Sequence, residues 1–168
     1  LKRTLGTPRV GHTGTLDPMA SGVLVVCAGW STRLVPYLAA GTKTYEGTMR
    51  LGVVTDTDDA QGDVVSACDA SATSRAQVAD ALRRLTGEIS QRPPAYSAIR
   101  IDGKRAYDLA RAGEDVEIAA RPATVHEFEL LPGDAESGDV WRFRAEVSHG
   151  TYIRSLARDV GELLGVGA

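Results

Sequence analysis

Strict alternation of apolar and polar residues in two segments is the strongest constraint on what this chain can fold into. In residues 42–52, Tyr45, Met49 and Leu51 fall on one side of an extended chain, and Glu46 and Arg50 fall on the other. Residues 140–148 repeat the pattern. Since successive side chains of a strand point to opposite faces, each segment predicts a strand with one buried and one solvated face. Such strands are typical of antiparallel sheets.

Helical patterns lie between and after these strands. In residues 74–85, Ser74 and Gln77 form a capping box and Gly87 follows the end. From Thr151 onward, apolar residues recur at helical spacing and predict an amphipathic helix. Shorter helices are predicted over residues 31–40, where Pro36 disturbs the pattern, and over 106–112, ending at Gly113.

The order of these elements predicts the fold class. Residues 22–28 form an apolar run that predicts a buried strand, and a further strand is predicted around 124–131. Strands and helices alternate irregularly, and several neighbouring strands are close enough in sequence to pair antiparallel. We therefore expect an α+β fold with a mixed, mainly antiparallel sheet flanked by helices and loops. The 168 residues are enough for one domain.

Charge is segregated along the chain although its net value is −3. Lys and Arg exceed Asp and Glu in residues 1–50 and 83–111, whereas acidic residues dominate 56–69 and 112–141. Segregation of this kind could place a basic, phosphate-binding face on an acidic protein. A solvated patchwork of both signs is the alternative, and charge alone does not separate the two.

Several functional classes are excluded because the sequence lacks their motifs. No phosphate-binding loop and no dinucleotide-binding fingerprint occurs. Cys27 and Cys68 make neither a disulfide framework nor, with the histidines, a zinc site, so we expect no metal and a reducing, cytoplasmic location. The longest apolar run is too short to span a bilayer, so no membrane association is expected.

One loop, GHTGTLDPMASGVL at residues 11–24, holds an isolated carboxylate. Pro18 disfavours the α conformation for Asp17 and so limits the directions of its side chain. The carboxylate is ionised at neutral pH and could act as a nucleophile. An Asp-Pro step in a Gly- and Thr-rich loop is more often simply a turn.

The loop belongs to a longer string, VGHTGTLDPMASGVL, that resembles the catalytic motif of the tRNA pseudouridine synthase B (TruB) family. Further segments resemble the family in the same order along the chain. They are KTYEGTMRLGVVTDTDDAQG (43–62), ALRRLTGEISQRPPAYSAIRIDGKRAYDLARAG (81–113), ARPATVHEFELL (120–131) and VSHGTYIRSLARDVGELLGVGA (147–168). The resemblance covers essentially the whole chain and implies a pseudouridine synthase fold.

The resemblance also implies roles for individual residues. Asp17 matches the family's nucleophile, Tyr45 the tyrosine that packs on the target uracil, and Arg154 the arginine that pairs with the catalytic carboxylate. His12 matches the histidine that enters the T loop, and Lys43 a supporting basic residue. From the residues alone, Tyr45 would be a core aromatic, Arg154 a solvated helix arginine and His12 an ordinary loop histidine.

The implied reaction is isomerisation of a T-loop uridine of tRNA (Ψ55) to pseudouridine on a flipped-out nucleotide. It needs no cofactor, small-molecule co-substrate or obligate protein partner. The carboxylate could add to C6 of uracil or to C1′ of ribose, and a ribose-proton route would use Asp17 or Tyr45 as base. RNA contacts are expected from a thumb-like insertion at about 88–113, through Arg92, Arg100, Lys104 and Arg105.

Residues 1–168 are expected to be a single, truncated catalytic domain. The family's N-terminal strand and its C-terminal PUA domain are expected to be absent from this chain. Two alternative functions remain open at this point. One is a non-catalytic module that binds and folds tRNA, and the other is a related pseudouridine synthase that acts on another RNA.

Overall fold

The computed structural model describes residues 1–101, 103–114, 116–132 and 139–168. They fall into two compact units, Leu1–Thr42 and Lys43–Ala168. In the first unit, strands β1 (Val10–His12) and β2 (Val26–Ala28) pair antiparallel. A 3-10 helix (Gly29–Leu34) and the short helix α1 (Val35–Ala39) follow.

The first unit corrects the prediction of a buried strand over residues 22–28. Only the last three residues of that run are a strand, and Val23 is 92% exposed. The strand is short because its partner β1 ends at His12. The loop begins there, and a hydrogen bond from the Thr13 N–H to the Val25 carbonyl joins its two ends. The apolar composition of a segment does not show whether a neighbouring strand is long enough to pair with all of it.

The helix predicted over residues 31–40 is split into the 3-10 helix and α1. Pro36 lies in the first turn of α1, where its missing N–H removes no intrahelical hydrogen bond. Ser31 lies inside the 3-10 helix. Its hydroxyl accepts from the Ala28 N–H and donates to the Ala28 carbonyl, which fixes the start of the helix.

The second unit contains the remaining strands and helices. They are β3 (Lys43–Arg50), β4 (Val53–Thr55), β5 (Val64–Ala67), α2 (Arg75–Arg84), β6 (Gly87–Gln91), β7 (Arg100–Ile101), β8 (Lys104–Arg105), α3 (Ala106–Arg111), β9 (Arg121–Leu130), β10 (Val140–Val147) and α4 (Ile153–Leu164). The main sheet has the order β3-β10-β9-β6, and β4-β5 and β7-β8 form separate hairpins. Every strand pair among the described residues is antiparallel. The predicted α+β class is confirmed.

The core of the second unit lies between one face of the main sheet and helices α2 and α4. The alternation in β3 and β10 is confirmed, since Met49 and Phe143 are buried whereas Arg50 and Arg142 are exposed. The predicted capping box of Ser74 with Gln77 begins α2. The apolar stripe of α4 packs into the same core.

The predicted insertion, residues 88–113, starts inside the main sheet. Residues 88–91 belong to β6 and pair with β9, so the chain leaves the sheet only at Arg92. From there it passes Pro93 and Pro94, forms the β7-β8 hairpin and ends with α3. Gly113 follows that helix with a φ of +77°, a conformation that favours glycine.

Close packing of Phe143 on β3 gives a stability prediction. A Cβ added at Gly47 would lie 2.8 Å from the Phe143 ring, which is itself buried. We expect Gly47→Ala to lower the free energy of unfolding by about 1–3 kcal/mol, because overpacking forces the ring to move. Urea unfolding measures the change. Gly41→Ala is the control, since a Cβ there meets nothing within 4 Å, and an equal effect of both variants would contradict the prediction.

Candidate active site

The loop that carries Asp17 runs between β1 and β2 in the first unit. The Asp17 carbonyl accepts a hydrogen bond of 2.9 Å from the Ala20 N–H, so residues 17–20 form a turn with Pro18 in its second position. Asp17 is half-buried, whereas His12, the last residue of β1, is exposed. The turn predicted from the Asp-Pro step is therefore present, and Asp17 remains partly accessible within it.

Arg154 lies in the first turn of α4 in the second unit and is not the solvated arginine that helical position alone would suggest. Its side chain is only 11% exposed. Nη1 donates to the Thr57 carbonyl at 2.8 Å, and Nη2 donates to the Tyr96 carbonyl at 3.0 Å. The Asp59 carboxylate lies 3.7 Å from Nη1. These contacts fix the guanidinium plane, which presents five N–H donors in a rigid fork.

The acidic turn that receives Arg154, residues 55–63, is itself tightly hydrogen-bonded. Oδ1 of Asp59 accepts from the Thr57 hydroxyl at 2.8 Å and from the Gln61 N–H at 2.9 Å, while Oδ2 faces Arg154. Across the turn, Asp56 accepts from the Asp63 N–H at 2.9 Å. One carboxylate thus both shapes the turn and faces the buried arginine.

The sequence of residues 55–63 predicts a polar turn but does not single out Asp59. The available signal was the density of Asp and Thr in the string TDTDD, which is typical of side chains that hydrogen-bond their own backbone. That signal predicts the turn. It does not predict that one oxygen of Asp59 faces α4, nearly a hundred residues later in the chain.

Tyr45 and Lys43 lie on β3, on the strand face that turns toward the core. Tyr45 is partly buried, packs against the hydrophobic core and pairs with Ala145 of β10. Lys43 is half-buried and pairs with Val147. The core position anticipated for Tyr45 is therefore observed, with part of the side chain still accessible.

The basic residues expected to contact RNA lie in two places, the β7-β8 hairpin and the point where the chain leaves β6. Arg100 pairs with Arg105 across β7-β8, and Lys104 pairs with Ile101, so three exposed cations share one small hairpin. Arg105 also donates to the Tyr107 hydroxyl at 2.6 Å. Arg92 is separate, at the point where the chain leaves the sheet, and its guanidinium lies 3.7 Å from Glu162 of α4.

The described residues are informative about two other kinds of site. No group of three or more His, Cys, Asp or Glu in the described part of the chain could hold a metal ion. No helix among the same residues is long and apolar enough to cross a membrane.

Chains of solved structures are similar to this chain in fold. A chain of a crystallised Cbf5-Nop10-Gar1 complex is 33% identical, with a TM-score of 0.68, and is matched over 99% of this chain and 39% of that one. A chain of an H/ACA RNP bound to a substrate RNA containing 2′-deoxyuridine is 30% identical, with a TM-score of 0.64. It is matched over 99% of this chain and 37% of that one. The pseudouridine synthase fold is confirmed.

Sequence comparison then gives the family. The model of the TruB family pseudouridylate synthase N-terminal domain matches residues 2–153, so this chain belongs to the TruB family. The tRNA pseudouridine synthase B of Corynebacterium efficiens is 54% identical over 168 residues, and that of Geobacillus thermodenitrificans is 46% identical over 172. This chain spans 57% of the length of the first and 56% of the second.

Proposed function

We propose that this chain isomerises a uridine of tRNA to pseudouridine, at the T-loop position Ψ55. The observation that carries the proposal is the 54% identity, over 99% of the chain, with a protein named tRNA pseudouridine synthase B. The matched region covers the part of the sequence that holds Asp17, Tyr45 and Arg154. Residues 1–168 are proposed to act as one catalytic domain, with residues 88–113 as its RNA-contacting insertion.

The atom balance of the reaction suits a site built around one carboxylate. The N1–C1′ glycosidic bond breaks, the uracil turns, and a C5–C1′ bond forms. The proton on C5 leaves and N1 gains one, so nothing is oxidised or hydrolysed and no co-reactant is consumed. Asp17 is proposed as the nucleophile on the flipped-out nucleotide.

Tyr45 and Arg154 are proposed to complete the site. Tyr45 is only partly buried, and its ring is proposed to stack on the uracil, which would offset part of the cost of removing the base from its own stack. Arg154 is proposed as the counter-ion of the catalytic carboxylate. A nearby cation favours the ionised form of a carboxyl group that RNA would otherwise desolvate.

The test of the proposed function is release of tritium from tRNA transcripts labelled at uracil C5. Conversion to pseudouridine must release the label, because C5 loses its hydrogen when it bonds to the ribose. A non-catalytic tRNA-binding module would bind the transcript and release nothing. A synthase for another RNA would leave the tRNA label in place and release the label from a different transcript.

The β7-β8 hairpin gives a prediction about binding. We expect replacement of Arg100, Lys104 and Arg105 by glutamine to weaken tRNA binding and to flatten its salt dependence. The slope of log K against log salt should fall by about 0.7 for each phosphate contact removed. Filter binding across a salt series measures it.

The control for that experiment replaces three arginines outside the basic segments, Arg121, Arg142 and Arg144. Their loss removes the same formal charge from β9 and β10. If both triple variants change the slope equally, net charge rather than the hairpin governs binding, and the assignment of the hairpin is wrong.

A further inference from the structure

A second arginine of α4, Arg158, lies one helical turn after Arg154 and is equally buried, with 11% of its side chain exposed. Nη1 donates to Oδ2 of Asp58 at 2.8 Å, and Nη2 donates to the Arg92 carbonyl at 2.7 Å. Nε and Nη2 also donate to Oδ1 of Asp159, at 3.1 and 2.9 Å. All three guanidinium nitrogens are therefore engaged, and they join α4 to two other segments.

The first of these segments is the acidic turn. Asp58 lies between Thr57 and Asp59, the two residues of the turn that contact Arg154. Its φ of +56° is the only positive value among the described non-glycine residues. A non-glycine residue pays a free-energy cost in this backbone conformation, which persists only where surrounding contacts stabilise it. The bond from Arg158 is such a contact.

The second segment is the base of the insertion, where the chain leaves β6. The Arg92 carbonyl accepts from the Ser155 hydroxyl at 2.9 Å as well as from Arg158. Just before it, the buried Gln91 amide exchanges hydrogen bonds with both backbone groups of Tyr152, at 2.8 and 3.0 Å. The first two turns of α4 thus hold the chain at the point where it leaves the main sheet.

We propose that Arg158 is a positioning residue for the reaction, which clamps the acidic turn and the base of the basic insertion to α4 and so holds Arg154 in its working geometry. The proposal rests on the proposed function. Arg158 acts through its neighbours: Asp58 fixes the turn that receives Arg154, and Arg92 precedes Tyr96, whose carbonyl receives the other arm of Arg154. An arginine that only paired with Asp58 would not also bind the Arg92 carbonyl.

Kinetics of Arg158→Lys and Arg158→Met on labelled tRNA test the clamp. Lysine keeps the charge and can pair with Asp58, but it lacks the planar fork that serves three acceptors together. We expect kcat to fall about ten-fold or more in both variants, because small displacements of a catalytic group are costly. KM should change less than about three-fold in both variants. Compared with Arg158→Met, Arg158→Lys should regain more of the wild-type melting temperature than of the wild-type kcat.

Arg144→Met is the matched control. Arg144 pairs with Glu127 at 2.5 Å and lies 3.6 Å from Glu129, so its loss also breaks ion pairs of a partly buried arginine. We expect kcat to stay unchanged in this variant. A lysine variant of position 158 with full kcat, or equal loss of kcat in the Arg144 control, would overturn the positioning role.

Hydrogen exchange separates failure of the clamp from failure of the proposed function. Amides of the acidic turn are bonded within it, including those of Asp58, Asp59 and Asp63. We expect residues 55–63 to exchange faster in Arg158→Met than in the wild type and in Arg144→Met. Unchanged exchange would overturn the clamp. If exchange is faster in Arg158→Met as expected but the wild type releases no tritium, the proposed function alone is overturned.

The pH dependence of stability gives an independent measurement. Burial raises the pKa of Asp58 and of Asp159, while Arg158 opposes the rise at both groups. Arg154 and Arg92 also lower the pKa of Asp58, and Glu162 and Asp58 raise that of Asp159. Removing Arg158 should therefore raise both pKa values further.

The sign of the effect follows from linkage. A carboxyl group whose folded-state pKa is raised favours the folded state below its unfolded pKa, near pH 4, and loses that contribution as pH rises through the folded pKa. The melting temperature of Arg158→Met should therefore lie further below that of the wild type at pH 7 than at pH 5. A difference that is the same at both pH values would contradict the ion-pair part of the clamp.

Discussion

Asp17→Asn is expected to bind tRNA and to release no tritium from uracil C5. Asparagine has nearly the same shape but carries no charge, and its amide is a poor nucleophile at neutral pH. We expect the rate to fall by at least about 10³-fold, the scale seen when a catalytic nucleophile is removed. The turn should survive, because its hydrogen bond from the Ala20 N–H ends on the Asp17 backbone carbonyl and not on the carboxylate.

The matched control for Asp17 is Asp69→Asn, a substitution of the same kind at an exposed carboxylate that bonds the Ser71 N–H. It should isomerise tRNA at the wild-type rate. Single-turnover tritium release with enzyme in excess compares the three proteins. A full rate in Asp17→Asn would remove the nucleophile from the account, whatever the effect of other variants.

Arg154→Met is expected to affect both stability and activity. Loss of the guanidinium removes the cation that lies 3.7 Å from the Asp59 carboxylate, which is 10% exposed, and removes a donor from the Thr57 and Tyr96 carbonyls. Breaking a buried pair from one side costs about 3–5 kcal/mol, so we expect a loss of about that size in the free energy of unfolding. Tritium release should fall by about 10²-fold or more, because the proposed counter-ion of the catalytic carboxylate is gone.

Arg154→Lys separates charge from geometry. Lysine keeps the positive charge but cannot donate to the Thr57 and Tyr96 carbonyls while facing Asp59. We therefore expect part of the stability to return with little of the activity. Urea unfolding and tritium release, measured on both variants, provide the comparison. Wild-type stability in Arg154→Met would show that the buried contacts do not hold the turn.

The regular part of the fold was predictable because side-chain period reports burial directly. The alternation in residues 42–52 and 140–148 placed β3 and β10 correctly, and the Ser74 capping box placed α2. Residues 22–25 were mispredicted because their apolar composition says nothing about whether a partner strand extends far enough. The Pro36 region was mispredicted because proline begins a helix as readily as it breaks one.

The candidate site was predictable only where it lies in a recognisable string. Asp17, Tyr45 and Arg154 come from motifs that resemble the family. The roles of Asp59, Asp58 and Arg158 depend on contacts between segments about a hundred residues apart, which no local pattern encodes. By composition, acidic residues in a polar turn are expected to be solvated, and the structure shows instead that they face buried arginines.

The most direct test of the central claim is a map of pseudouridine in tRNA transcripts after incubation with the purified protein. Chemical labelling of pseudouridine followed by reverse transcription reads every uridine in one experiment. We expect one new pseudouridine, at the T-loop uridine, which is absent after incubation with Asp17→Asn. A transcript that is bound but unmodified, or modified only outside the T loop, would contradict the central claim.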